Sequence, residues 1–250
     1  GKEYHCNKFL ASFISPFVTR LLLSDINADR IEIDLKDEEN YFEYIISLTK
    51  GNIIKITEEN AIFLLQIAQI LENHEMIEAF SAHIPSLHEG NAIELFLQRL
   101  KYNLPVTNEI EFIASNFPKI DINSLIKLNP TQLAEIIGSD YLRIRSEESF
   151  FYTLCDYIDF YGEESKYLLG YVNLPCLSED LIPTFLQMLD LDSINGMIWN
   201  TICERLKLEV NLKPKKKKKS KHNEKEEGQF DGILNHLKKQ PNFEKIVQIT

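Results

Sequence analysis

Six histidines, four cysteines and 38 carboxylates are the side chains of this 250-residue chain that could bind a metal, attack a carbon centre or move a proton. The segment His74-Glu75-Met76-Ile77-Glu78 offers one histidine of a zinc-binding helix, but Glu78 stands where a second histidine would be needed on the same face. It reads as a solvated helix end. His74, His83 and His88 fall on a polar junction and read as surface or hinge residues. Cys6, Cys155, Cys176 and Cys203 are too dispersed for paired metal knuckles and too few for a disulfide framework, so they read as reduced thiols of an intracellular protein. Cys155 lies between Leu154 and Ile158, and the nearby Glu148 and Asp156 disfavour its thiolate, which makes it a small buried hydrophobe rather than a nucleophile. The acidic pairs Glu38-Glu39, Glu58-Glu59 and Glu163-Glu164 are adjacent in sequence and do not share a helical face, so they suit helix dipoles and solvated surface rather than an acid/base dyad. The glycines are scattered and form no phosphate loop. No catalytic, cofactor-binding or metal-binding residue, no cofactor and no small-molecule substrate is therefore expected. An enzyme remains the rival class, and it would require a pocket in which two titratable groups converge.

Charge is distributed unevenly. Residues 1–212 hold 16 basic and 33 acidic side chains, whereas residues 213–250 hold 11 basic and 5 acidic, a body of −17 and a tail of +6 within a net charge of −11. An acidic body repels a phosphate backbone, so nucleic acid is not an expected partner of the body. The tail contains one sharp feature, the lysines Lys213, Lys215, Lys216, Lys217, Lys218, Lys219 and Lys221. Without interleaved aromatics or arginine it offers no base stacking and no bidentate recognition. It reads as a self-repelling linker or as a nuclear import signal. The import reading supports an alternative function, a nuclear or chromatin-associated factor acting through this segment.

At 29.1 kDa, with 44% hydrophobic and 26% charged residues, the chain has ordinary globular proportions and room for one or two domains. No run of about 18 apolar residues is present, so no membrane association is expected, and the expected location is cytoplasmic, nuclear or both. Alternation at Ile31, Ile33 and Leu35 predicts a strand, and Ile53-Ile54-Lys55-Ile56 a second one. Helical spacing at Phe42, Ile45, Ile46 and Leu48 ends at Lys50-Gly51-Asn52. Thr57, followed by Glu58 and Glu59, predicts the start of a helix through Leu71. Phe13, Phe17 and Leu21 sit at four-residue steps and are assigned one core-facing stripe. Trp199, with Met197 and Ile198, is assigned to core packing in preference to a groove. A compact unit is expected to close near Leu87, followed by a helical array over 92–100, 110–116, 131–137, 147–160, 179–189 and 196–206, with Ser146 and Ser178 as N-caps.

The stretch Gly1 to Phe9, with Ala11 and Ser15-Pro16-Phe17-Val18-Thr19-Arg20-Leu21, resembles the part of BTB/POZ domains that runs from the second strand into the first core helices. Ile31-Glu32-Ile33, Phe42 to Leu48 with Gly51, and Glu59-Asn60 to Leu71 follow in that family's order. Residues 91–95, 113–117 and 133–137, then Ser139-Asp140-Tyr141-Leu142, Ser146-Glu147, Phe150 and Ile158, are similar to the BACK domain, as is Tyr171 to Ser178. The resemblance implies an α+β BTB/POZ-like domain, a small sheet capped by helices, over 1–88, lacking its first strand. It implies an all-α BACK-like helical array over 89–209. A lysine-rich linker over 210–228 and the start of a further domain over 229–250 complete the expected organisation, and Phe230-Asp231-Gly232-Ile233-Leu234-Asn235-His236-Leu237 resembles the entry of discoidin-like β-sandwiches. A fold without a three-stranded sheet capped by helices within 1–85 would refute the adaptor reading as drawn from the BTB-like and BACK-like segments together.

What the BTB–BACK resemblance implies is a non-enzymatic protein-interaction adaptor, with the substrate-recruiting subunits of cullin ubiquitin ligases as its best-defined role. The implied partners are proteins: a second BTB domain through self-association, and a cullin scaffold. Leu22, Leu23, Ile26 and Asn27, together with Leu48 and Thr49, form the candidate protein-interaction surface. The sequence departs from the family pattern in three places. Asn7-Lys8 replaces a His-Lys pair, Thr49-Lys50-Gly51 replaces Tyr-Thr-Gly, and the loop Ser24 to Arg30 carries Ala28 where the cullin-binding hydrophobic-x-Glu motif has glutamate.

Overall fold

The computed structural model describes residues 2–35, 37, 39–190 and 193–212, with side chains as far as residue 207. The chain divides into two compact units, residues 1–109 and 110–250.

In the first unit, α1 (Lys8–Ile14) and α2 (Pro16–Ser24) are joined only by Ser15. Asn7 caps α1, its side-chain oxygen accepting from Phe9 N and Leu10 N, and the Ser15 hydroxyl caps α2 by accepting from Val18 N. Proline at the first position of α2 fits because that N–H has no helical partner. Then come α3 (Phe42–Thr49), α4 (Glu58–Ile70), α5 (His74–Ser81) and α6 (Ala92–Lys101), and α7 (Thr107–Ser115) runs across residue 109. Asp37 caps α3 by accepting from Tyr41 N at 2.8 Å and Phe42 N at 3.0 Å. At α4 the side-chain bonds come from Asn60, whose Oδ1 accepts from Thr57 N and whose Nδ2 donates to Lys55 O. Helix α4 is apolar nearly all round, with Ala61, Ile62, Phe63, Leu64, Leu65, Ile67 and Ala68 buried, as a central helix must be. Ile45, Phe80, Leu95 and Leu104 pack about it.

No residue described is in a β-strand, so the expected sheet of residues 1–88 is not formed. The alternation persists as a pattern of burial. Ile31, Ile33 and Leu35 are half-buried while Glu32 and Asp34 are exposed, and Ile54 and Ile56 turn inward while Ile53 and Lys55 turn out. Ile33, Leu35, Ile54 and Ile56 all pack on the α4 core. A strand also needs a neighbour to exchange backbone hydrogen bonds with, and these segments lie on helices.

The second unit has helices and turns and no strand among its described residues. It contains α8 (Ile122–Leu125), α9 (Pro130–Ile137), α10 (Glu147–Tyr161), α11 (Ile182–Met188) and α12 (Gly196–Leu212), with 3-10 turns at Phe117–Lys119, Glu163–Tyr171, Leu174–Cys176 and Glu179–Leu181. The cap expected at Ser146 is present: its hydroxyl accepts from Ser149 N at 3.1 Å, and Ser149 Oγ accepts from Ser146 N at 3.3 Å. The cap expected at Ser178 is not, because a 3-10 turn follows it and its side chain makes no capping bond. Asn129 and Gln132 form a reciprocal box at α9, both bonds 2.9 Å. Gly162, with φ of +77° and ψ of −156°, supplies a backbone conformation that only glycine adopts readily, and it ends α10.

The core of this unit is built around α10. Phe151 lies against Phe185 of α11 with ring centroids 5.9 Å apart, and Phe150 meets Phe117 edge-on at 5.7 Å. The stacked rings of Tyr157 and Tyr161 donate their hydroxyls to Leu128 O at 2.6 Å and Ile126 O at 2.8 Å, so two large rings are placed inside without an orphaned polar tip. Helix α12 is tied down by Thr201, whose hydroxyl accepts from Leu174 N and donates to Val172 O, and by Arg205, which donates to the carbonyls of Pro175 and Leu177. At its start the approach is very close: a Cβ on Gly170 would stand 2.7 Å from Met197 Cβ. Among the described residues no helix is long and apolar enough to cross a membrane.

Candidate protein-interaction surface

Large apolar side chains left in water are the feature that distinguishes the beginning of the chain. The structure separates the six residues of the candidate surface. Leu23 and Ile26 are 82% and 78% exposed at the end of α2 and in the following loop, and Asn27 is exposed beside them. Leu22 is half-buried. Leu48 packs on the α4 core, and Thr49 is buried with its hydroxyl donating to Ile46 O at 2.6 Å. The loop holding Ile26 is fixed to the first turn of α1, since Lys8 Nζ donates to Ile26 O at 2.7 Å and pairs with Asp29 at 3.3 Å, while Asp25 Oδ1 accepts from Asn27 N. The lysines Lys213, Lys215 to Lys219 and Lys221 lie outside the described residues, as do the linker beyond Leu212 and the discoidin-like segment.

Three exposed residues were not anticipated: Phe9, Leu10 and Phe13 on α1, a helix with no buried residue. Phe13, expected in a core stripe with Phe17 and Leu21, is 89% exposed, whereas Phe17 and Leu21 are half-buried. The extended backbone of Ser15 interrupts the helix and resets its phase, so four-residue steps do not carry across the break. The Ser-Pro pair was the available signal, because the residue before proline is driven out of the helical region.

The groups weighed for chemistry are dispersed. Among the described residues no three His, Cys, Asp or Glu side chains are grouped as metal ligands. His74 opens α5, and His83 Nδ1 meets Ala79 O at 2.8 Å. All four cysteines are free; Cys6 and Cys176 are exposed. Cys155 is half-buried with its sulfur 3.4 Å from Met188 Sδ, and burial, helped by the charges of Asp159 and Asp156, pushes its thiol up to about 11. It therefore stays protonated through pH 9, and we expect Ellman's reagent at pH 8 to label Cys6 and Cys176 well before Cys155. Labelling of Cys155 as fast as the exposed pair would show that its environment is misread. Ile198 is buried, Trp199 half-buried and Met197 partly exposed.

The second unit is an array of short helices about a buried core, and the first leaves large apolar side chains of α1 and α2 in water. Residues 107–187 match the BACK family, described as BTB And C-terminal Kelch. Similar curated proteins are Kelch-like protein 40 of Xenopus laevis, 27% identical over 60% of this chain and 26% of that protein, and Kelch-like protein 40a of Danio rerio, 27% identical over 73% and 31%. Kelch-like protein 28 of Mus musculus is 26% identical over 70% of this chain and 33% of its own length. The chain thus spans about a quarter to a third of the curated relatives it matches.

Proposed function

We propose that this protein is a non-enzymatic protein-interaction adaptor of BTB–BACK type, in which the helical array spaces binding segments and the α1–α2 region engages a protein scaffold. The observation that carries the reading is the BACK match over residues 107–187, which falls on the helices that pack around α10. The exposed Leu23 and Ile26 support a protein rather than a small molecule as the ligand of the first unit. Within this reading the first unit is a BTB-like domain whose helices keep the family's order without its sheet. Its scaffold is a cullin, it self-associates, and the chain works in the cytoplasm or nucleus.

The test is capture of a purified cullin by the purified full-length protein, beside a Leu23→Asp/Ile26→Asp variant. Both side chains lie in solvent, so the fold is kept, and placing two carboxylates in an apolar contact is expected to weaken capture by about tenfold or more. No capture by the wild type removes ligase recruitment from the proposal. Failure to recover any specific protein partner from cells removes the adaptor reading itself.

A further inference from the structure

Helix α10 turns Phe150, Phe151, Leu154, Tyr157 and Ile158 to the core and leaves Ser149, Tyr152, Asp156, Asp159 and Phe160 exposed. At 100° per residue the exposed set occupies a sector about 100° wide, so two aromatic rings and two carboxylates share one face. Tyr152 and Phe160 each leave more than half of their surface in water. Asp156 and Asp159 make no ion pair among the described residues, and their charges act on the adjacent Cys155 thiol. Carboxylates interleaved with ring faces suit alkylammonium groups, which the carboxylates bind through charge-assisted hydrogen bonds and the rings attract through their quadrupole.

The same chain supplies a ligand of this chemistry. Lys213 to Lys221 place seven lysines in nine residues directly after α12 in the sequence. Fully extended, nine residues reach about 30 Å, more than the ~22 Å length of a 15-residue helix such as α10. Residues 1–212 carry −17 and residues 213–250 carry +6, so the attraction is intramolecular as well as local. A short tether that spans to its site holds a ligand there at an effective concentration in the millimolar range, at which weak individual contacts suffice.

We propose that the α10 face formed by Tyr152, Asp156, Asp159 and Phe160 is the docking site of the chain's own lysine run, Lys213 to Lys221. While docked, the lysines are withheld from any external anionic partner, whether an import receptor or a phosphate-bearing surface. Salt or a competing polycation releases them. This inference stands apart from the adaptor reading and does not need a cullin.

The full-length protein is digested with trypsin under native conditions at low salt, and cleavage within Lys213 to Lys221 is timed by mass spectrometry. Two variants are run in parallel, Asp156→Asn/Asp159→Asn and Tyr152→Ala/Phe160→Ala. Neither adds or removes a tryptic site, and circular dichroism verifies that each is folded. The carboxylate pair alone decides the matter if the aromatic pair misfolds. Docking requires the lysine run of the wild type to be cut about threefold to tenfold more slowly than that of the variants. The difference must disappear at about 0.5 M salt, where screening confines charge interactions to a few ångströms. Equal rates in wild type and carboxylate variant overturn the proposal. Protection that rises with protein concentration also overturns it, because the lysines then sit on a second copy.

Discussion

Phe151→Ala is expected to lower the stability of the second unit by about 3–5 kcal/mol, the cost of deleting a fully enclosed ring whose neighbours close only partly over the cavity. The ring has no exposed surface and lies against Phe185, in a helix whose next turns bury Leu154, Tyr157 and Ile158. For a domain of about 100 residues a loss of this size lowers Tm by on the order of 15 °C or more. A denaturant titration of the full chain followed by circular dichroism measures it, and a loss below about 1 kcal/mol would mean that α10 is not the centre of the packing described above.

A second large effect is expected at Arg99 and Glu109, an ion pair between α6 and α7 within the first unit. Arg99 Nε lies 2.9 Å from Glu109 Oε1, with the two side chains only 20% and 5% exposed. Neither Arg99 Nε nor Glu109 Oε2 has a hydrogen-bond partner among the described residues. The short distance without a hydrogen bond means that the N–H is not aimed at the oxygen, so the pair is held by charge more than by direction. Arg99→Met leaves a carboxylate enclosed and uncompensated, and the expected loss is about 3–5 kcal/mol. Arg99→Met/Glu109→Leu removes both charges and is expected to regain most of that loss. A double variant as unstable as Arg99→Met would place the contribution of Arg99 in the packing of its stem.

The helices that were legible, α3, α4, α9 and α10 among them, have local signals. Ser146 before two glutamates, Thr57 before two more and Lys50-Gly51 after a helical run each act within about a turn, and the sequence states them. Helix α5 carried such a signal too: Asn73, whose Oδ1 accepts from Met76 N, opens it within a stretch whose His, Ser, Pro and Gly content suggested only a junction. The sheet was not legible, because alternation is a property of one segment and pairing a property of two. Ile33, Leu35, Ile54 and Ile56 show the period of strands and bury the expected side while lying on α4. The surface divides along the same line. Leu23 and Ile26 flank the end of α2 and stand in solvent, whereas Leu48 and Thr49 occupy a helix whose inward side could be fixed only by knowing that α4 lies beneath it. Phe13 failed for a smaller reason, a helical phase carried across Ser15-Pro16.

Gly170 sits where a hydrogen atom is all that fits, since any Cβ would meet Met197 Cβ at 2.7 Å and the backbone nitrogen of Ile198 at 3.3 Å. Neither of those atoms is the free end of a side chain that can swing aside. The position is therefore closed to the other nineteen residues for as long as α12 keeps its place, whatever the protein binds. Within the BACK-matching segment, Gly170 is thus a signature of assembly rather than of action: a descendant could exchange every partner and would still have to spell glycine there.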